Sequence, residues 1–70
     1  MSQDKLLSTI GLNIKIERIR ARMTQEDLAE LVKINSKHLG AIERGEVNLR
    51  VLTLVSLAKA LDISLDKLCK

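Results

Sequence analysis

Histidine and cysteine, the residues that most often serve as nucleophiles, bases or metal ligands, occur once each in this 70-residue sequence, as His38 and Cys69. A catalytic nucleophile needs a base beside it, and a structural metal site needs about four ligands. The nine acidic residues do not cluster along the chain. The sequence therefore predicts no enzyme, no metal site, no cofactor and no small-molecule ligand.

Basic side chains are the more distinctive group. The formal net charge is +3, and residues 15–22 contain Lys15, Arg18, Arg20 and Arg22 against Glu17 alone. A positive charge is compatible with a nucleic-acid partner. The chain has no Phe, Tyr or Trp, the rings on which proteins usually stack single-stranded bases. The composition thus favours duplex DNA over RNA or single strands.

Length and cysteine content limit how the chain can be stabilised. Seventy residues predict a single domain, residues 1–70. Chains below about 70–80 residues often need a disulfide, a metal or oligomerisation to be stable. One cysteine cannot form a disulfide within the chain and no metal site is predicted, so a partner subunit is the remaining means of stabilisation. The single thiol, with no leader pattern and no long apolar run, predicts a cytoplasmic protein without a membrane partner.

The elements that must position the basic residues are all helical. Apolar residues recur at helical spacing, and strand signals are weak. Thr24 with Asp27 resembles a capping box, Asn35 and Ser64 are favourable N-caps, and Gly45 suits a helix C-terminus. The sequence predicts an all-α, compact five-helix domain, with helices at about 6–21, 25–32, 36–44, 50–61 and 65–69.

The same spacing predicts which side of each helix faces the core. An inward stripe on a helix repeats every three or four residues. The residues selected are Ile10, Leu12, Ile14, Ile16, Ile19 and Met23 in the first helix, Leu28, Leu31 and Val32 in the second, Leu39 and Ile42 in the third, and Val51, Leu54, Val55, Ala58 and Leu61 in the fourth.

The stretch TQEDLAELVKINSKHLGAIERG, Thr24 to Gly45, resembles the helix-turn-helix of the lambdoid phage repressor and Cro superfamily, or XRE family. Flanking segments extend the resemblance to about 60 of the 70 residues. It implies a lambda-repressor-like domain whose helix-turn-helix spans 25–44. The implied function is sequence-specific transcriptional regulation by a homodimer on a pseudo-palindromic DNA operator. Lys33, at a turn position that usually holds glycine, and Gly40, inside the third helix, depart from the pattern.

The resemblance also implies roles for individual residues. Arg18 and Glu43 match an ion pair that braces the third helix. The start of the second helix and the exposed side of the third are implied to contact DNA, with Gln25 and Arg44 on phosphates, and Lys37 the main reader of base edges. The full set of implied DNA contacts is Gln25, Asn35, Ser36, Lys37, His38, Ala41, Arg44, Asn48 and Arg50.

Apolar residues beyond those needed for one core predict a dimer interface, although burial within the domain is the alternative. These residues are Val47, Leu49, Leu52, Leu57, Leu65 and Leu68. Chains of this size resemble restriction–modification controller proteins and small phage-type repressors, and the sequence leaves both open. An alternative function is an antitoxin-like module that binds a protein partner as well as DNA.

Overall fold

The computed structural model describes residues 3–70, which form five helices joined by short turns. Their bounds are α1 Gln3–Arg20, α2 Gln25–Val32, α3 Ser36–Glu43, α4 Val51–Leu61 and α5 Leu65–Leu68. No strand occurs within residues 3–70, and the predicted all-α, five-helix fold is confirmed. Only α1 starts well away from its predicted position, at Gln3 rather than residue 6. None of these helices is both long and apolar enough to cross a membrane.

Local sequence signals fix the helix ends. The Asn35 side chain accepts a hydrogen bond from the Lys37 N–H at the start of α3, at 2.7 Å. Ser64 does the same for the Lys67 N–H at α5, at 3.2 Å. Gly45 follows α3 with a φ of +72°, a conformation that glycine adopts without a Cβ clash. Asn35 and Gly45 together set the length of α3 and hence the surface that it can present.

Much of the predicted core is buried as expected. The buried residues of the predicted set are Ile10, Ile14, Leu28, Leu39, Ile42, Ala58 and Leu61. In α1, however, the prediction that Leu12, Ile16 and Ile19 face inward is wrong, because their exposed fractions are 54%, 38% and 55%.

The packing of α1 against α3 explains which side of α1 turns inward. Gly11 lies on that side, and a Cβ atom there would overlap the carbonyl oxygen of Ile42 and lie 2.6 Å from that of Glu43. The absence of a side chain at Gly11 therefore allows α3 to approach closely. Arg18 lies on the same side of α1 and meets Glu43. The buried face of α1 thus contains a glycine and a charged residue, which weaken its apolar pattern.

The predicted dimer interface is wrong at two residues. Leu57 and Leu68 have exposed fractions of 0%, because they fill the space between the helices of their own chain and cannot reach a second one. Two residues predicted to face the core, Val51 and Leu31, are instead 73% and 60% exposed. Leu52 is 81% exposed, so the apolar surface of α4 is concentrated at its first turn.

The remaining predicted interface residues lie between these extremes. Val47 and Leu49 are partly buried and pack against the core from the loop between α3 and α4. Leu65 is 41% exposed at the start of α5. The loop is thereby anchored to the domain, and its polar residues are held next to the end of α3.

Candidate nucleic-acid interface

A capping box holds the start of α2. The Thr24 Oγ1 atom accepts from the Asp27 N–H, and the Asp27 carboxylate accepts from the Thr24 N–H, both at 3.0 Å. Hydrogen bonding of the Asp27 carboxylate to the Thr24 backbone N–H, and secondly to the Thr24 side chain, lowers the pKa of Asp27. Because Glu26 is also exposed here, this helix end bears acidic charge, and any cation that attracts a phosphate must come from a neighbouring element.

A buried ion pair joins α1 to α3. The Arg18 Nε atom donates to Glu43 Oε2 at 2.7 Å, and Arg18 Nη2 donates to Glu43 Oε1 at 3.3 Å. Arg18 Nη1 also donates to the carbonyl oxygen of Met23 at 2.8 Å. The side chains of Arg18 and Glu43 are 11% and 2% exposed. The pair that the sequence resemblance implied is present and fixes the end of α3 against α1.

Gln25 connects α2 to the same carboxylate. Its Nε2 atom donates to Glu43 Oε1 at 3.0 Å, so Glu43 accepts three hydrogen bonds in all, two of them from Arg18. An amide group has two N–H donors, which leaves one donor of Gln25 for another acceptor. The side chain of Gln25 is therefore held over α3 rather than projecting freely from the start of α2.

Gly40 makes room for this arrangement. A Cβ atom at position 40 would lie 3.2 Å from Arg44 Nη1 and 3.5 Å from Gln25 Oε1. Gln25 and Arg44, both predicted as phosphate contacts, thus converge above the bare backbone of Gly40. The sequence pattern identified Gly40 only as a departure, because its neighbours come from α2 and from beyond the end of α3.

Arg44 is the cation at this point of convergence. Its Nε atom donates to Glu46 Oε2 at 3.0 Å, and the two side chains are 58% and 55% exposed. The hydrogen bond that Arg44 donates to Glu46 raises the pKa of Arg44, as does the negative charge of Glu46, with a smaller contribution from the charge of Glu43. Glu46 is not predictable from the sequence, since an exposed acid two residues after an arginine forms no distinctive pattern.

The first turn of α3 presents the other predicted DNA contacts. Lys37 and His38 are exposed, Ser36 is half-buried, and Ala41 follows one turn later, also half-buried. Leu39 points the opposite way and is fully buried. The residues predicted to read base edges therefore share the outer side of α3, which is the arrangement that an α-helix needs in order to enter a major groove.

The outlying candidates flank α3 on its two sides along the chain. Asn35, Asn48 and Arg50 are exposed, and Arg50 is the N-cap residue of α4 without a side-chain capping bond. Asn35 precedes α3, whereas Asn48 and Arg50 lie between α3 and α4, so none of the three is within α3 itself. Their positions suit contacts to the flanking backbone more than contacts to bases.

Residues 3–70 offer few features suited to another kind of site. No group of three or more His, Cys, Asp or Glu residues there could hold a metal ion. A shallow hollow of about 420 Å³ is lined by Leu31, Ser56, Lys59 and Ala60. It lies between α2 and α4 and shares no lining residue with the outer side of α3.

The chain is similar to a known protein family and to several individual proteins. A helix-turn-helix family profile matches residues 14–68. Control protein C.SmaI of Serratia marcescens is 39% identical over 56 residues, which cover 80% of this chain and 67% of that protein. The crystal structure of the restriction-modification controller protein C.AhdI from Aeromonas hydrophila matches with a TM-score of 0.84 and 32% identity, over 89% of this chain and 94% of that one.

A further similar structure contains DNA. It is the tetramer of the restriction-modification controller protein C.Esp1396I in complex with its natural 35 base-pair operator. The match has a TM-score of 0.77 and 32% identity, and covers 93% of this chain and 96% of that chain. The names of these three relatives describe control or controller proteins.

Proposed function

The chain belongs to the helix-turn-helix family, and from that premise we propose that it is a sequence-specific regulator of transcription, of the restriction–modification controller type. In this proposal residues 1–70 act as one DNA-binding domain, and the protein is located in the cytoplasm. The names of the relatives support the controller role, and the operator complex of C.Esp1396I supports duplex DNA as the partner.

One observation carries the proposal. The side chains of Gln25 and Arg44 meet beside Gly40, next to an exposed first turn of α3 that bears Lys37. The residues that we propose to bind phosphate thus lie near the residue that we propose to read bases. Contacts to phosphates fix a protein on the duplex, whereas contacts to base edges select the sequence.

The proposed division of labour follows chemical type. Arg44 and the second amide donor of Gln25 bind phosphates, and Lys37 donates to guanine O6 and N7. Ser36 and Ala41 add a permissive hydroxyl contact and a methyl contact to thymine. The lesser contacts, made to bases or to the flanking backbone, are those of Asn35, His38, Asn48 and Arg50.

We propose a homodimer as the binding unit. Val51 and Leu52, at the first turn of α4, are 73% and 81% exposed, and burial against a second copy would remove both from water. Leu65, which is 41% exposed, remains a candidate at the edge of this interface. A two-fold dimer binds two half-sites whose centres lie about 34 Å apart, one turn of the double helix.

Selection from a library of random duplexes tests the proposal. Repeated rounds of binding and sequencing should enrich a pseudo-palindrome with half-sites one helical turn apart. If no sequence is enriched over the starting library, the chain is not a sequence-specific regulator. The relatives named above give no support to an antitoxin-like module, and we do not favour that alternative.

A further inference from the structure

The surroundings of Arg44 contain an acceptor that the proposed function does not use. Arg44 is the only cation that lies over Gly40 among the atoms nearest to that position. Two carboxylates are close enough to affect it electrostatically, Glu43 and Glu46. A phosphate that binds Arg44 would have to replace one of these two carboxylates.

Glu43 is already committed to other donors. It accepts from Arg18 at 2.7 and 3.3 Å and from Gln25 at 3.0 Å, and its side chain is 2% exposed. Glu46, by contrast, is 55% exposed and bonds Arg44 through a single contact at 3.0 Å. An exposed ion pair of this kind is weak and exchanges its partners with little cost. Glu46 is therefore the carboxylate that can leave.

We propose that Glu46 sets the affinity of the chain for the DNA backbone, by occupying in the free protein the place on Arg44 that a phosphate takes in the complex. This inference rests on the proposed function, because it assumes that Arg44 faces DNA. Binding at this point is an exchange of one anion for another, and the displaced carboxylate then lies beside a phosphate of like charge. Both effects weaken binding to every sequence alike, because the phosphate backbone carries no sequence information.

The test compares Glu46→Gln with a matched change elsewhere. Asp66→Asn also removes one exposed carboxylate from an ion pair, the 3.0 Å pair with Lys70, in which both side chains are 75% exposed. The probe is a fluorescent duplex of random sequence about three helical turns long, titrated at fixed low salt. Glu46→Gln should bind about two- to fivefold more tightly than the wild type, and more tightly than Asp66→Asn.

A second pair of variants shows whether Glu46 acts through Arg44. In an Arg44→Ala background, adding Glu46→Gln should give no more gain than adding Asp66→Asn. An equal gain in both backgrounds would overturn the inference, because net charge alone would then explain it. A loss of affinity in Glu46→Gln would also overturn it, since Glu46 would then be positioning Arg44. Failure of the wild type to bind any duplex would instead refute the proposed function.

Discussion

The ion pair of Arg18 and Glu43 supports the proposed DNA-binding surface from the inside of the domain. Both side chains are nearly buried, at 11% and 2% exposed, and Glu43 also holds Gln25. Removing one partner of a buried pair leaves the other charge uncompensated in a region of low dielectric. The pair therefore affects stability and, through Gln25, the shape of the proposed phosphate contact.

We expect Arg18→Ala to lower the free energy of unfolding by about 3–5 kcal/mol. Arg20→Ala is the matched control, because Arg20 also lies in α1 and pairs with Glu17 at 3.1 Å but is 67% exposed. That change should cost under about 1 kcal/mol. Urea unfolding followed by circular dichroism measures both. Equal losses in the two variants would mean that burial adds nothing to the pair.

Lys37 and Arg44 are expected to contribute differently to DNA recognition. Lys37→Ala should cost about 1–3 kcal/mol of binding free energy on the selected site and relax the preference at one base position in each half-site. Arg44→Ala should weaken binding to all sequences equally. It should also reduce the slope of log affinity against log salt concentration by about one per subunit. Binding to a library of single-base operator variants separates the two patterns. If Lys37→Ala lowers every affinity by the same factor, Lys37 contacts phosphate instead of a base.

At the scale of the helices, the turn between α2 and α3 contains local strain. Lys33, at the turn position that usually holds glycine in the family that the sequence resembles, has a φ of +60°, a conformation that glycine adopts more readily than other residues. A side chain in this conformation costs roughly 1 kcal/mol because its Cβ crowds the backbone. The hydrogen bonds of the turn hold it there, with the Lys33 N–H donating to the carbonyl oxygen of Glu30 at 3.2 Å.

Lys33→Gly should therefore raise the free energy of unfolding by about 1 kcal/mol. Lys15→Gly provides the control, since Lys15 is an exposed lysine in the middle of α1. There glycine adds flexibility without relieving strain, and the cost should be about 1 kcal/mol. Thermal and urea unfolding of the two variants should thus shift in opposite directions. A destabilised Lys33→Gly variant would show that Lys33 gains more from its surroundings than its conformation costs.

The sequence predicted where the helices lie better than which side of each is buried. Thr24, Asn35 and Ser64 act through bonds to residues two or three positions away, and such local signals can be read from sequence. The inward side of α1 depends on α3 through Gly11 and Arg18. Neither residue is apolar and large, so the regular spacing of more hydrophobic residues also selected Leu12, Ile16 and Ile19, which are exposed.

In the candidate interface, the positions of the residues could be predicted from the sequence but the contacts between them could not. The family resemblance supplied Gln25, Lys37 and Arg44, because these positions follow from the alignment of the helix-turn-helix. The contacts above Gly40 and the ion pair with Glu46 depend on side chains that meet in three dimensions. Their roles could be assigned only after the end of α3 and the loop beyond it were placed beside α2.

At the scale of the whole molecule, size limits both stability and DNA binding. A domain of about 60–70 residues buries only about 60% of the surface that its unfolded chain exposes. The principal extents of the protein are 31 × 22 × 20 Å, so a single copy is shorter than the roughly 34 Å between half-site centres. A second copy joined through the first turn of α4 would both cover Val51 and Leu52 and span that distance.

Leu52→Glu should therefore convert the proposed dimer to the 7.8 kDa monomer without unfolding it. Leu52 is 81% exposed, so a glutamate is solvated in the monomer but would be buried without a partner in the dimer. Leu12→Glu is the control, because Leu12 is also exposed, at 54%, but lies on the outer side of α1. Leu68→Glu, at a position that is 0% exposed, should unfold the domain instead. Sedimentation at micromolar concentration, with circular dichroism, distinguishes these outcomes. If Leu52→Glu sediments as the wild type does, the first turn of α4 is not the dimer interface.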